Sequence, residues 1–262
     1  MNWPYPRYVA HRGGGSLAPE NTLMAIDTGW QHGYRAAEVD AALTRDEVPV
    51  LLHDATLDRT TNGSGRLDQA GASYVAGLDA GSWLDPGFAA ARVPTLADAL
   101  QHCSRQGIWL NVEIKPVPGH EERTGELVAR AVAQFWPPAP KPARHGVQST
   151  PLPVLSSFST AALAAARRAA PGLRQGVLFT RVPANWQEIL HRMGAFSLHC
   201  DHRRLDASLA RAIGDAGFGL LCYTVNDAAR AQQLLDWGVD AICTDRIDLI
   251  APGPAGPAQP MR

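Results

Sequence analysis

Four short stretches of this chain carry side chains that could do chemistry together. His11-Arg12-Gly13 ends one apolar run, Glu38-Val39-Asp40 lies inside a second, Leu52-His53-Asp54 ends a third, and Glu113-Ile114-Lys115-Pro116 closes a fourth. On a strand, residues i and i+2 point to the same face. Glu38 and Asp40 therefore share a face, as do Glu113 and Lys115, while Ala37, Val39, Val112 and Ile114 leave the opposite faces apolar. Three carboxylates converging with one lysine leave excess negative charge, and burying an unpaired carboxylate costs on the order of several kcal/mol. A divalent cation removes that cost. All-oxygen donors select a hard ion, Mg2+ or Ca2+, with Mn2+ also compatible. The blander reading is an ion-pair cluster of the acids with Lys115 and Arg12.

Beside such a site, His11 and His53 suit general acid–base work at neutral pH. They are poor ligand candidates, because Glu38, Asp40 and Glu113 already supply a hard ion. The Arg12 guanidinium, close to a cation and a lysine, matches phosphate. Gly13 to Gly15 let backbone approach a ligand, but no Lys-Ser or Lys-Thr follows, so this is not a P-loop. His199 and His202, on the sixth strand and just after it, could approach the same rim. His32, His102, His120, His145 and His191 read as surface residues.

The elements that must position these groups alternate in period. Short β-rich runs lie near 7–10, 36–41, 108–115, 153–157, 175–179, 195–200, 219–225 and 240–244. Helical patterns lie near 22–32, 95–106, 121–135, 159–169, 185–192, 206–216 and 227–237, with a short eighth near 246–250. Strand then helix, eight times, predicts an α/β chain folded as a (β/α)8 TIM barrel, with the polar strand faces inward at its C-terminal rim. A doubly wound open sheet is the alternative, disfavoured by eight strands and no glycine-rich dinucleotide turn. Gly33, Gly107, Gly217 and Gly238 sit where helices should end, and Asp206 and Asp227 where helices should begin. The barrel domain is expected to span 1–250. Residues 48–94 form a small inserted module between strand 2 and helix 2, with Trp83 in that module's own core. Residues 137–153, with six prolines, read as a stiff exposed loop, and 251–262 as a disordered tail.

Twenty-four basic and 25 acidic residues give a formal net charge of −1, so nucleic acid and stable membrane association are poor partners. The four cysteines show no CxxC spacing and three lie in strand-like runs, which predicts reduced core thiols. The N-terminus has no charged-then-apolar leader and no run nears ~18 apolar residues, so a cytoplasmic protein is expected. Oligomeric state leaves no mark in this sequence.

The chain resembles the glycerophosphodiester phosphodiesterase family. The matching stretches are His11-Arg12-Gly13, Ala18-Pro19-Glu20-Asn21-Thr22, Glu38-Val39-Asp40, His53-Asp54, Leu57 through Gly63, Leu78 through Trp83, Val93 through Leu96, Glu113-Ile114-Lys115-Pro116, Leu155 through Phe158, Tyr223-Thr224-Val225-Asn226 and Thr244-Asp245. The resemblance implies a barrel, one divalent cation, and hydrolysis of a small glycerophosphodiester to sn-glycerol 3-phosphate and an alcohol. It implies metal binding by Glu38, Asp40 and Glu113, acid–base catalysis by His11 and His53, and phosphate binding by Arg12 and Lys115. The family often has Trp where Tyr223 stands, and an aromatic face there would pack on the substrate. The place of His53 at the start of the inserted module favours it as the acid, if that module covers the leaving group. Alternatives are a phospholipase D-like relative acting on lysophospholipids and an inactive barrel binding module.

Overall fold

The structure is a computed structural model that describes residues 3–136, 151–250 and 252. Nine strands run in chain order: β1 (Tyr8–Ala10), β2 (Ala36–Leu43), β3 (Pro49–Leu51), β4 (Trp109–Ile114), β5 (Val154–Ser157), β6 (Arg174–Phe179), β7 (Ser197–Asp201), β8 (Gly219–Tyr223) and β9 (Ala241–Thr244). All but β3 are parallel, in the order β1-β9-β8-β7-β6-β5-β4-β2, and β2 pairs back on β1 at Ala37↔Ala10. The sheet thus closes into an eight-stranded TIM barrel. β3 hangs outside it, antiparallel to the end of β2.

The helices are α1 (Leu23–Gln31), α2 (Ala72–Gly77), α3 (Leu96–Gln106), α4 (Glu121–Phe135), α5 (Thr160–Ala169), α6 (Trp186–Met193), α7 (Ala207–Asp215) and α8 (Ala228–Asp236). α3 shows how they are specified. Thr95 and Asp98 form a capping box, Gly107 ends the helix at φ 70°, and Leu96, Ala99, Leu100 and Cys103 form one buried stripe. Burying each such leucine contributes roughly 1.5–3 kcal/mol. Asp206 and Asp227 cap α7 and α8 by accepting from Leu209 and Arg230 backbone N–H groups. The short helix expected near 246–250 is instead a turn, with Leu249 and Ile250 N–H groups both donating to the Arg246 carbonyl. Five residues cannot repay helix nucleation.

Strand side chains divide by face. Val39, Val112, Ile114, Leu155, Val177, Leu198, Leu220 and Ile242 belong to the large core under the helices. Inside the barrel, Val9, Ala36, Trp109, Val154, Leu221, Ala241 and Cys243 fill the N-terminal end, and Trp3, Tyr5 and Phe196 close it. Tyr5 stacks on Trp109 at 4.3 Å, and the Arg174 guanidinium lies 4.4 Å from the Phe196 ring centre. This end is apolar and sealed, leaving the other for polar chemistry. All four cysteines are buried and free.

Between β2 and α3 the chain builds β3, α2 and a separate small core of Ala42, Val50, Leu52, Leu57, Leu67, Val75, Leu78, Ala80 and Val93. Trp83 is not part of that core; it is 39% exposed. Its indole N–H donates to the Ala80 carbonyl, which holds the ring outward. Most of the 137–153 loop, at 137–150, and all of the 251–262 tail except Pro252 lie outside the described residues. Among the described residues, no helix is long and apolar enough to cross a membrane.

Candidate active site

Glu38 and Asp40 on β2 and Glu113 on β4 point into the barrel near its C-terminal rim, each offering a carboxylate oxygen within 4.8 Å of the others. Strand register brings Asp40 opposite Glu113. The loop after β1 wraps this cluster through two non-glycine residues with positive φ, Arg12 (51°) and Asn21 (58°). Such strain persists only where surroundings hold it, and here the carboxylates do. The Arg12 backbone N–H donates to Glu38 Oε2 at 3.1 Å. Asn21 donates Nδ2–H to Asp40 Oδ2 at 2.8 Å and accepts the Asp40 N–H at 2.9 Å. Gly15 completes the loop at a point where a Cβ would sit 2.2 Å from the Asp245 carbonyl oxygen.

The fixed cations are Lys115, which donates to Glu113 Oε1 at 3.1 Å, and Arg12, whose Nε lies 3.6 Å from Asp40 Oδ2. They do not satisfy the cluster. Glu38 Oε1 is buried without a hydrogen-bond partner. Burial and the neighbouring Asp40 and Glu113 charges push the Glu38 carboxyl up to about 8, against the pull of His11 and Arg12. Burial and Asp40 likewise raise Glu113.

Both candidate acid–base histidines face this cluster, and each is held by an aspartate. His11 Nδ1 lies 2.6 Å from Asp245 Oδ1, and its Nε2 lies 3.8 Å from Glu38 Oε2. Burial opposes its protonation, but Asp245 and Glu38 outweigh burial and raise its pKa. His53 Nδ1 lies 2.6 Å from Asp54 Oδ1, and its Nε2 lies 3.2 Å from Lys115 Nζ. Burial lowers its pKa, with Lys115 and Arg12 adding to the effect against Asp40 and Asp54. Lysine ammonium has donors only, so His53 Nε2 accepts and Nδ1 carries the proton.

The other sequence candidates stand apart. Tyr223 packs edge-on to Phe158 at 6.1 Å and donates its hydroxyl to the Phe179 carbonyl, so the phenol is committed to the barrel wall. His199 is fully buried inside the barrel, with Nε2 2.9 Å from Ser197 Oγ. It fits because Gly176 has no Cβ, which would lie 2.4 Å from that nitrogen. Burial pushes its pKa down to about 3, making it a neutral core histidine. His202 takes a 3.4 Å contact from Arg230 Nε in the turn after β7. His102 is half-buried against Asp27 at 2.7 Å, not a free surface residue.

A cavity of about 460 Å³ opens beside His11 and Arg12, lined also by Trp83, Leu84, Asn226 and Arg246. A second, of about 320 Å³, lies beside Glu113 and Lys115 under Phe158. The module's apolar pair, Trp83 and Leu84, thus lines the cavity on the His11 side.

The sequence reading missed the partners: Asp245 for His11, Asp54 for His53, Glu20 for Arg12, Asn21 for Asp40, and Arg59 between Asp54 and Glu20. All lie in stretches that carried the family resemblance, but nothing local assigned them roles. Asn226 also belongs here, donating Nδ2–H to Asp245 Oδ2 at 2.9 Å and accepting the Asp245 N–H at 2.9 Å.

Residues 11–249 match the model of the glycerophosphoryl diester phosphodiesterase family. The chain is 30% identical over 242 residues to a glycerophosphodiester phosphodiesterase of Caldanaerobacter subterraneus subsp. tengcongensis, with 90% of this chain and 93% of that one covered. It is 29% identical over 256 residues to a glycerophosphodiester phosphodiesterase of Bacillus subtilis, covering 92% and 84%. Among solved structures, an Oleispira antarctica phosphodiesterase in complex with the product sn-glycerol-3-phosphate matches with a TM-score of 0.86 and 34% identity, over 94% of this chain and 95% of that one.

Proposed function

We infer, since the chain belongs to the glycerophosphoryl diester phosphodiesterase family, that it is a phosphoric diester hydrolase cleaving glycerophosphodiesters into sn-glycerol 3-phosphate and an alcohol. The observation that carries this reading is the meeting of two aspartate-held imidazoles, a guanidinium and an ammonium around three carboxylates at one barrel rim.

The carboxylates fit a divalent cation. Glu38, Asp40 and Glu113 outnumber the two fixed cations that face them, Arg12 and Lys115, Glu38 Oε1 has no partner, and an incoming phosphodiester adds another anion. All donors are oxygen, as Mg2+ or Ca2+ requires. Bound there, such an ion would polarise the phosphoryl oxygens and neutralise charge that develops on them. Arg12 and Lys115 hold the phosphate from either side. Once Lys115 Nζ turns from His53 Nε2 to the phosphate, neutral His53 accepts at that nitrogen the proton of the attacking oxygen. His11 has a carboxylate near each ring nitrogen, which favours the imidazolium, and it gives a proton to the departing alkoxide. The alcohol leaves through the cavity beside His11, which Trp83 also lines.

The test is release of sn-glycerol 3-phosphate from glycerophosphocholine with Mg2+, with Ca2+ and with excess EDTA. Turnover with at least one ion and none in EDTA is expected. Full activity in EDTA refutes the metal site, and no diester cleavage under any condition refutes the function.

A further inference from the structure

Arg59 lies outside the groups that face the carboxylate cluster, yet it joins two of them. It makes four short contacts with two carboxylates. Its Nε and Nη2 donate to Asp54 Oδ2 and Oδ1 at 2.6 and 3.0 Å, and its Nη1 and Nη2 donate to Glu20 Oε2 and Oε1 at 2.7 and 2.9 Å. Asp54 Oδ1 is also the partner of His53 Nδ1 at 2.6 Å, and Glu20 Oε1 also accepts from Arg12 Nη1 at 2.6 Å. The result is one unbroken run, Arg12–Glu20–Arg59–Asp54–His53, between two separate chain segments. Glu20 belongs to the loop after β1, and Asp54 and Arg59 to the segment after β3.

We propose that Arg59 is a positioning residue that sets His53 against Arg12, so that proton acceptor and phosphate anchor keep one spacing; this rests on the reading given under Proposed function. Without Arg59, two carboxylates would face each other with no cation between them. Glu20 would be held by Arg12 alone, and Asp54 would be free to turn away from the imidazole. A planar guanidinium can bridge two carboxylates bidentately, whereas a lysine ammonium cannot. Ion pairs this exposed add little to stability, so the main loss should appear in turnover. The strong downward shift of the Asp54 carboxyl, caused first by its Arg59 bonds, agrees with a carboxylate kept ionised as the acceptor for Nδ1–H.

The experiment is a double-mutant cycle on the full chain. Arg59→Met and Arg59→Lys are made alone and with His53→Ala, and kcat and KM for glycerophosphocholine are measured beside thermal melts. If Arg59 acts through His53, Arg59→Met lowers kcat on the order of 10–100-fold, no more than the lower end of the ~10²–10⁴-fold worth of the acid–base group. It then costs under about threefold when His53 is already Ala, because coupled residues are not additive. Arg59→Lys should recover part of kcat, and KM should rise in Arg59→Met as Arg12 loosens. If Arg59→Met does not fold, Asp54→Asn replaces it, and its kcat loss must overlap with that of Arg59→Lys, not multiply. Equal losses in both backgrounds, or full activity of Arg59→Met while His53→Ala is dead, overturn the proposal alone. Unimpaired His53→Ala overturns the catalytic reading beneath it.

Discussion

His11 and His53 are built alike on one side of the ring and oppositely on the other. Each presents Nδ1 to an aspartate at 2.6 Å. Beyond that, His11 Nε2 meets the Glu38 carboxylate at 3.8 Å, whereas His53 Nε2 meets the Lys115 ammonium at 3.2 Å. The aspartate fixes orientation in both cases; at His11 burial is outweighed by the Asp245 bond and the Glu38 charge, whereas at His53 burial, helped by Lys115 and Arg12, prevails. The pKa of His11 is accordingly raised and that of His53 lowered. Pairs of titratable groups pushed apart in this way divide acid from base. In the proposed mechanism, one repeated device, a histidine on an aspartate, serves two uses.

The largest expected effect erases the comparison altogether. Glu113→Gln removes one of the three carboxylates and the negative charge facing Lys115. Metal affinity measured by calorimetry should fall, activity should fall on the order of 10²-fold or more, and high Mg2+ or Ca2+ should restore part of it. Unchanged affinity would remove Glu113 from the binding set.

A smaller effect should blunt one side only. Asp245→Asn takes away the charge whose bond does most to raise the His11 pKa. Its kcat loss should be less than the ~10²–10⁴-fold that a positioned acid is worth. The pH dependence of stability gives the sign. A histidine whose folded pKa lies above its unfolded ~6.5 contributes stability that is fully present below that pH and is lost as pH rises through the folded value. Asp245→Asn should therefore lose more stability than the parent at pH 6 and little at pH 9. The His11 imidazole resonance should titrate at lower pH, with that of His53 unmoved. A shift of both rings would mean that the two dyads are not independent.

Much of this arrangement was legible in the residues. The eight barrel strands and the pairing of polar and apolar faces follow from period-two patterning, because β2 and β4 alternate Glu38, Asp40 and Glu113 with Val39, Val112 and Ile114. What was hidden is long-range or aperiodic. Asp245 and His11 are 234 residues apart and meet because the barrel closes β9 against β1. Trp3 and Tyr5 plug the barrel floor from a segment too short to show any period. Trp83 lies in an apolar-looking turn whose direction depends on one bond to Ala80. Arg59 and Glu20 stand in stretches that carry the family resemblance, but nothing local gives them a role until both ends of their chain of contacts are seen.

The division of labour between the two histidines is tested most directly by leaving-group dependence. The choline alkoxide needs a proton as it departs, whereas p-nitrophenolate hardly does. His11→Ala and His53→Ala should each be assayed on glycerophosphocholine and on a p-nitrophenyl diester of glycerol phosphate, with bound metal measured alongside. The predicted result is that His11→Ala loses ~10²–10⁴-fold on glycerophosphocholine but little on the aryl diester, while His53→Ala loses comparably on both. The reverse pattern, or equal losses for both variants on both substrates, would contradict it.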